Sequence, residues 1–77
     1  MTVKEMNEKI SEIERERNVN IYVFYDKSIG WKFEMYGRND INLARVIPPN
    51  QIALWDLVIL EGFLHRMASD IEVGVIC

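Results

Sequence analysis

Few side chains in this chain of 77 residues are of the kinds that catalyse reactions or bind metals. The sequence has one histidine, His65, and one cysteine, Cys77. Because a structural zinc site needs about four suitably spaced ligands, these two residues do not define one. A cysteine–histidine nucleophile pair would require the tail to fold back onto His65. Phosphate-binding loops need clustered glycines, whereas those of this chain are isolated: Gly30, Gly37, Gly62 and Gly74. The sequence therefore predicts no metal, no cofactor and no enzymatic activity.

Asp56 has the most unusual surroundings of the remaining candidates for chemistry. The spacing of apolar residues predicts one continuous helix from Gln51 to about Ala68, and Asp56 falls within its apolar half. A buried ionised carboxylate is costly unless it is paired. We therefore expect Asp56 to accept a hydrogen bond from a tyrosine or an arginine, or to be exposed near a helix end. The alternatives are a contact with a partner protein, or catalysis together with His65.

The polar half of the same predicted helix carries three large apolar residues, Leu54, Trp55 and Val58. Burial against the first helix or the tail is one explanation for them. The other is an exposed cluster with Trp55 as its anchor, because contiguous apolar patches mark contact sites and tryptophan is enriched in binding hot spots. These three residues are our first candidate partner-binding surface.

A helix is predicted at the start of the chain. Thr2 and Glu5 have the spacing of a capping box, and Asn18 is suited to a left-handed stop. Apolar residues recur at helical spacing along one narrow stripe, at Val3, Met6, Ile10 and Ile13. Packing of this stripe on a sheet is favoured over a coiled coil, because the stripe lasts only about two heptads.

Two aromatic and β-branched segments, 21–25 and 31–36, predict a β-hairpin. A three-residue loop over 28–30, with Gly30 in the left-handed position, is a common hairpin connection. The predicted pairs are Tyr25–Phe33 and Val23–Met35 on an apolar face, and Asp26–Lys32, Phe24–Glu34 and Tyr22–Tyr36 on the reverse face. The hairpin therefore segregates apolar from mixed residues.

The reverse face of this hairpin is the second candidate contact surface, because Tyr22, Phe24 and Tyr36 cluster there. Cross-strand packing, or coverage by the tail or another chain, is the favoured explanation for these aromatic residues. Exposed sheet aromatics also stack unpaired bases. That face, together with Lys32, Arg38 and Arg45, defines the alternative of a nucleic-acid-binding domain.

The remaining segments complete an α+β fold. A turn at 37–40 leads to a third strand at 41–47, which ends at Pro48-Pro49, and Asn50 is the expected cap of the helix that follows. The tail from Asp70 to Cys77 favours a fourth strand over a helix end. We expect one domain over residues 1–77 with a two-layer αβββα order, or αβββαβ. Its three-stranded antiparallel sheet packs against two helices that lie on one face.

This element order is similar to that of two families that act on nucleic acids. Restriction-endonuclease-like nucleases carry an acidic-x-lysine triplet, whereas Lys32-Phe33-Glu34 runs in the opposite direction. Double-stranded-RNA-binding domains place a lysine cluster at the start of the second helix, and segment 48–53 contains no lysine. The resemblance is therefore one of element order and implies neither activity.

Composition narrows the classes of function. A net charge of −3 and a pI near 5.0 argue against non-specific binding to nucleic acid. The sequence has no apolar segment of about 18 residues that would span a membrane, and a lone cysteine is typical of the reducing cytoplasm. Domains this small often gain stability by oligomerising.

We therefore expect a cytoplasmic, non-enzymatic protein-binding module that self-associates as a homo-oligomer. In size and composition it is like the accessory proteins of phages and mobile elements, including inhibitors of host proteins. A nucleic-acid-binding domain is the alternative function, and a small catalyst that uses Asp56 and His65 is the third.

Overall fold

A computed structural model describes residues 1–38 and 41–73. Its elements follow the order α1 (Val3–Arg17), β1 (Asn20–Asp26), β2 (Gly30–Tyr36), β3 (Asn42–Ile47), α2 (Pro49–Ile52) and α3 (Leu57–Glu72). The three strands form an antiparallel sheet in the order β1-β2-β3. The predicted α+β class and the αβββα arrangement are confirmed, with the second helix divided in two.

Helix α1 begins and ends as its sequence predicts. The amide of Glu5 donates to Thr2 Oγ1 at 3.1 Å, and the amide of Thr2 donates to Glu5 Oε1 at 2.8 Å. This reciprocal capping box satisfies two amides that the first turn leaves without partners. At the other end, Asn18 adopts a left-handed conformation with φ of 54°.

The core lies between one face of the sheet and the two long helices. Alternation along each strand turns the odd-numbered residues of β1, β2 and β3 towards the helices. Helices α1 and α3 run side by side and parallel on that face, since Lys9 contacts Glu61 and Arg17 contacts Ser69. The largest fully buried side chains come from all of these layers: Ile13, Phe33, Met35, Leu60 and Leu64.

The predicted faces of the hairpin are right, but the predicted register is wrong by two residues. Val23 pairs with Phe33, and the ladder continues to Asp26 opposite Gly30. Asp26 Oδ1 accepts a hydrogen bond from the amide of Ser28 at 2.8 Å, so the chain turns immediately after Asp26. A shift of two residues preserves which side chains share a face.

The predicted helix over 51–68 is wrong in both its continuity and its ends. Helix α2 begins at Pro49, with Pro48 rather than Asn50 at the N-cap position, and ends at Ile52. Proline is favoured in the first helical turn, where its missing N–H costs no hydrogen bond. The chain then leaves the helical conformation before α3 begins at Leu57.

The predicted fourth strand is wrong where α3 continues to Glu72. Asp70, Ile71 and Glu72 belong to α3, and Ile71 is buried because it continues the apolar face of that helix. The rest of the predicted strand, 74–77, lies outside the described residues, as do Asn39 and Asp40 of the predicted turn. Among the described residues, no helix has both the length and the apolar content needed to cross a membrane.

Two glycines should respond to alanine in opposite directions. At Gly30 φ is +103°, and an added Cβ would overlap the carbonyl oxygen of Ile47, whereas at Gly62 in α3 it would meet open space. We expect Gly30→Ala to lower the free energy of unfolding by about 2 kcal/mol. Gly62→Ala should raise it by roughly 0.8 kcal/mol through helix propensity. Urea denaturation measures both, and a neutral Gly30→Ala would contradict the observed hairpin loop.

Candidate protein-contact surfaces

A short turn over 53–56 separates α2 from α3 and positions the first candidate surface. The amides of Leu54 and Trp55 donate to the carbonyl oxygens of Gln51 and Ile52 at 3.1 and 3.0 Å, so the last turn of α2 tightens. Asp56 then adopts an extended conformation as the N-cap of α3. The chain therefore changes direction within four residues of the end of α2.

The side chain of Asp56 caps α3, with Oδ1 accepting a hydrogen bond from the amide of Ile59 at 2.9 Å. It is exposed at a helix end, which is one of the two predicted outcomes, and it bonds no tyrosine or arginine. Aspartate is among the preferred N-cap residues. Its position inside an apolar face, as plotted on one continuous helix, was the sequence signal that the helix restarts there.

Trp55 anchors the turn to the core and is only partly available to a partner. Its ring lies 5.1 Å from that of Phe63, centroid to centroid, and Phe63 in turn lies 5.2 Å from the fully buried Phe33 in an edge-to-face arrangement. Such pairs stabilise by more than their buried area alone. Trp55 therefore holds the turn in place, which differs from the exposed anchor that the sequence predicted.

Leu54 and Val58 are the two most exposed large apolar side chains among the described residues, at 82% and 77% of their full surface. Ile59 is about half exposed beside Val58, and Gly62 lies one helical turn after Val58 with open space above it. We call Leu54, Val58, Ile59 and Gly62 the outer patch. Exposed apolar residues grouped in this way at one end of a helix are of the kind that marks contact sites.

Sequence reasoning missed two members of this patch. Plotted on a continuous helix from Ile52, Ile59 falls at the edge of the apolar half, beside Ile52, and Gly62 falls among polar residues. The break at Asp56 removes Ile52 from that helix, and the buried face of α3 then centres on Leu60 and Leu64. An N-cap residue inside an apolar run was the available signal for this change.

The flank of α3 that carries Glu61 and His65 contacts α1 through polar groups. Lys9 Nζ lies 2.9 Å from Glu61 Oε2 and 3.3 Å from Glu12 Oε2. The hydrogen bond that Lys9 donates to Glu61 lowers the pKa of the Glu61 carboxyl and raises the pKa of Lys9. This contact joins residues 52 positions apart in the chain, so it fixes how the helices lie together.

His65 belongs to the same seam of polar contacts between α1 and α3 and is partly buried, with 31% of its side chain exposed. Its Nδ1 lies 3.0 Å from Arg17 Nη1, and its Nε2 lies 3.7 Å from Glu16 Oε2. Because a guanidinium only donates, Nδ1 is the acceptor, and the proton of the neutral imidazole lies on Nε2. Arg17 also bonds Ser69 and Glu72, at 3.1 and 3.2 Å.

The structure does not bring Asp56 and His65 together. They lie nine residues apart along one chain segment, Asp56 at the N-cap of α3 and His65 well inside that helix. At a rise of about 1.5 Å per residue, roughly 13 Å separates their backbones. A general acid or base must reach its partner at hydrogen-bond distance or through one water. The arrangement therefore does not support the catalytic pair.

The second candidate surface is the sheet face that points away from the helices. Tyr22 and Tyr36 pack edge to face with ring centroids 5.6 Å apart. They are diagonal neighbours, not the direct pair that the sequence predicted, because Tyr22 lies opposite Glu34. Phe24 is exposed beside them, and the three aromatic residues border a shallow depression of about 550 Å³. The predicted clustering of Tyr22, Phe24 and Tyr36 is thus present.

The charges on this open face neutralise one another. Lys32 Nζ lies 3.1 Å from Glu34 Oε2, and Tyr36 Oη donates to Glu34 Oε1 at 3.3 Å. The negative charge of Glu34 raises the pKa of the Tyr36 hydroxyl. A base-stacking platform needs positive charge that is free for phosphates, and this face presents one lysine already paired with a glutamate.

The three basic residues of the nucleic-acid alternative do not share a surface. Arg45 lies on the helix-facing side of β3, opposite Phe33 in the register, with Nη2 3.8 Å from Asp70 Oδ2. Arg38 lies beyond the end of β2, and Lys32 is on the open face. The described structure therefore does not gather these three residues into one basic patch.

Neither a metal site among the described residues nor a known relative indicates what the chain does. In the part of the chain that the structure describes, no three His, Cys, Asp or Glu side chains lie together as a metal ion would need. No protein-family model matches the sequence, and neither a curated protein nor a solved structure matches it. What the chain does must be inferred from its surfaces, since a fold alone does not determine a function.

Replacing Asp56 tests the cap that starts α3. Asp56→Ala should lower the free energy of unfolding by about 1 kcal/mol, because the amide of Ile59 loses its acceptor. Asp56→Asn keeps an acceptor oxygen and should retain most of the stability. Urea denaturation distinguishes the two variants, and equal losses in both would show that the cap is not the source of the effect.

The Lys9–Glu61 contact predicts a pH-dependent contribution to stability. Since the folded-state pKa of Glu61 is lowered, its stabilisation is complete above about pH 4.5, the ordinary pKa of a glutamate, and is lost as the pH falls below that value. Glu61→Gln should therefore be less stable than the wild type at neutral pH and equal to it in acid. Urea midpoints across the pH range measure this difference.

Glu8→Gln is the matched control for this experiment, because Glu8 is an exposed residue of α1. Its difference from the wild type should be small at every pH. A Glu61→Gln difference that does not shrink as the pH falls below about 4.5 would contradict the assigned contact, because the stabilisation by the carboxylate is lost in that range.

Proposed function

We propose that this chain is a protein-binding module whose contact surface is the outer patch. The observation that carries the proposal is the 82% and 77% exposure of Leu54 and Val58 at the N-terminal end of α3. Burying one such side chain contributes roughly 1.5–3 kcal/mol. A partner that covers both side chains would gain this free energy on binding.

The local structure supports a contact of fixed shape. Ring contacts from Trp55 through Phe63 to Phe33 hold the turn that carries Leu54. The Asp56 cap fixes the start of the helix that carries Val58. A surface that is already in place loses less conformational entropy on binding. The outer patch is therefore suited to a partner that presents a complementary apolar surface.

Gly62 suggests the form of that partner. An added Cβ at Gly62 would meet nothing within 4 Å, so the backbone of α3 is accessible beside Val58 and Ile59. An amphipathic helix of the partner can approach closely there, with apolar side chains directed at Val58 and Leu54. The small size and the net charge of −3 are those of an accessory protein, and we propose a cytoplasmic inhibitor of a host protein, of phage or mobile-element type.

The test compares two pairs of substitutions in the whole chain. Leu54→Ser/Val58→Ser removes apolar surface from the outer patch, whereas Val3→Ser/Val73→Ser removes it from two other exposed valines, at 64% and 71% exposure. Each protein is used as bait in cells of the source organism. A partner retained by the wild type and the control is then purified and titrated against all three proteins.

We expect the patch variant to bind the purified partner about 100-fold more weakly, since each lost side chain contributes of the order of 1.5 kcal/mol. The control should bind within about twofold of the wild type. Equal binding by the patch variant, with its fold intact by circular dichroism, would refute the outer patch as the contact surface.

A further inference from the structure

The two edge strands of the sheet differ in how they are protected. Strand β3 turns Arg45 towards the helices and is followed directly by Pro48 and Pro49. Inward charges and prolines are devices that keep edge strands from pairing with other chains. Strand β1 has the sequence NIYVFYD, with no lysine, arginine or proline, and it pairs residue for residue with β2 without a bulge. Neither of the two devices found on β3 is present on β1.

The hydrogen bonds of β1 show which of its backbone groups face outwards. The amide of Ile21 donates to Glu14 Oε2 of α1 at 2.9 Å, so it points away from β2. Because backbone groups alternate in an antiparallel ladder, the N–H and C=O groups of Val23 and Tyr25 point the same way. The open edge therefore offers a donor and an acceptor on each of these two residues, while Glu14 occupies the amide of Ile21.

We propose that β1 pairs antiparallel with β1 of a second copy of this chain, about a two-fold axis beside Phe24. Val23 then lies opposite Tyr25 of the second copy, and each residue exchanges both of its backbone hydrogen bonds. A register centred on Val23 would require the amide of Ile21, which Glu14 already holds. The free groups thus select one register and join two sheets into a continuous one of six strands.

The side chains of β1 match this register. Phe24 faces Phe24 of the second copy as a non-hydrogen-bonded pair, the closer of the two kinds of pair, and aromatic cross-strand pairs are stabilising. Ile21 lies opposite Lys27 of the second copy. This brings the ammonium group of that Lys27 towards Glu14 of the first copy, whose carboxylate accepts a hydrogen bond from the Ile21 amide. The two ends of the contact therefore have complementary charge.

The exposed area on β1 fits a modest interface. Tyr22, Phe24 and Tyr25 are each about half exposed, which leaves of the order of 100 Å² on each side chain. Two copies bring of the order of 600 Å² of aromatic surface to the contact, in addition to the paired backbones. Interfaces at the low end of the size range are weak and reversible, so the dimer forms as concentration rises.

This dimer does not depend on the proposed function. Helix α3 packs over β3 and α1 packs over β1, so the outer patch is carried by the helix over the other edge of the sheet from the one that pairs. Leu54→Ser/Val58→Ser should leave the dimer unchanged, and loss of the dimer should leave the outer patch exposed. Failure of one proposal is therefore distinguishable from failure of the other.

Sedimentation equilibrium of the wild type and two matched variants tests the pairing. Phe24 and Val46 flank Lys32 in one cross-strand row of the open face, at 52% and 47% exposure. A glutamate at either position lies beside Lys32, so both variants retain a cross-strand partner. Phe24→Glu places two carboxylates opposite each other at the dimer axis, whereas Val46→Glu lies on the other edge.

We expect the wild type to pass from monomer to dimer between about 1 μM and about 1 mM. Phe24→Glu should raise the dissociation constant at least about tenfold, and Val46→Glu should change it less than about twofold. A wild type that remains monomeric throughout overturns the proposal. Equal weakening by both variants overturns it as well, because it would indicate stacking of two open faces.

Amide hydrogen exchange of the unmodified chain provides a second measurement. Protection of the Val23 and Tyr25 amides should increase as the wild type dimerises. The amides of Ala44 and Val46, which point outwards from β3 by the same alternation, should exchange at a constant rate. Protection that appears at Ala44 and Val46 instead would place the contact on β3 and refute the proposal.

Discussion

The hydrogen bond from the amide of Ile59 to Asp56 holds the first turn of α3, the helix that carries both core residues and the outer patch. On this helix Leu60 and Leu64 point into the core, while Val58 points to solvent. The break before Asp56 separates α2 from α3, so the apolar residues of the two segments do not share one helical face. One carboxylate thus fixes the end of the helix on which some apolar residues stabilise the domain and others remain for a partner.

The sheet shows what could be predicted from the sequence and what could not. The division of β1 and β2 into two faces depends only on whether a position is odd or even, so the apolar pattern was sufficient to predict it. The register depends on where the loop starts, which is set by the bond from Ser28 to Asp26. A shift of the loop by two residues leaves the apolar pattern of both faces unchanged, so that pattern does not specify the register.

The polar contacts between α1 and α3 could not be predicted from the sequence, for a different reason. Lys9 and Glu61, like Arg17 and His65, are far apart in the sequence and meet because both helices lie parallel on one sheet face. Nothing in the local sequence of His65 indicates an arginine as its partner.

The two proposed contacts lie on opposite edges of the domain, and this separation has a consequence for binding. Helix α1 lies over β1, while α3 lies over β3, so pairing at β1 leaves the outer patch of each copy uncovered. A dimer joined at β1 holds two outer patches in a fixed relation, because a continuous sheet connects them. A partner that itself repeats would engage both patches, and the second contact would form at a high effective concentration. A weak edge contact between two small domains can thus strengthen the capture of an oligomeric target well beyond what one outer patch provides.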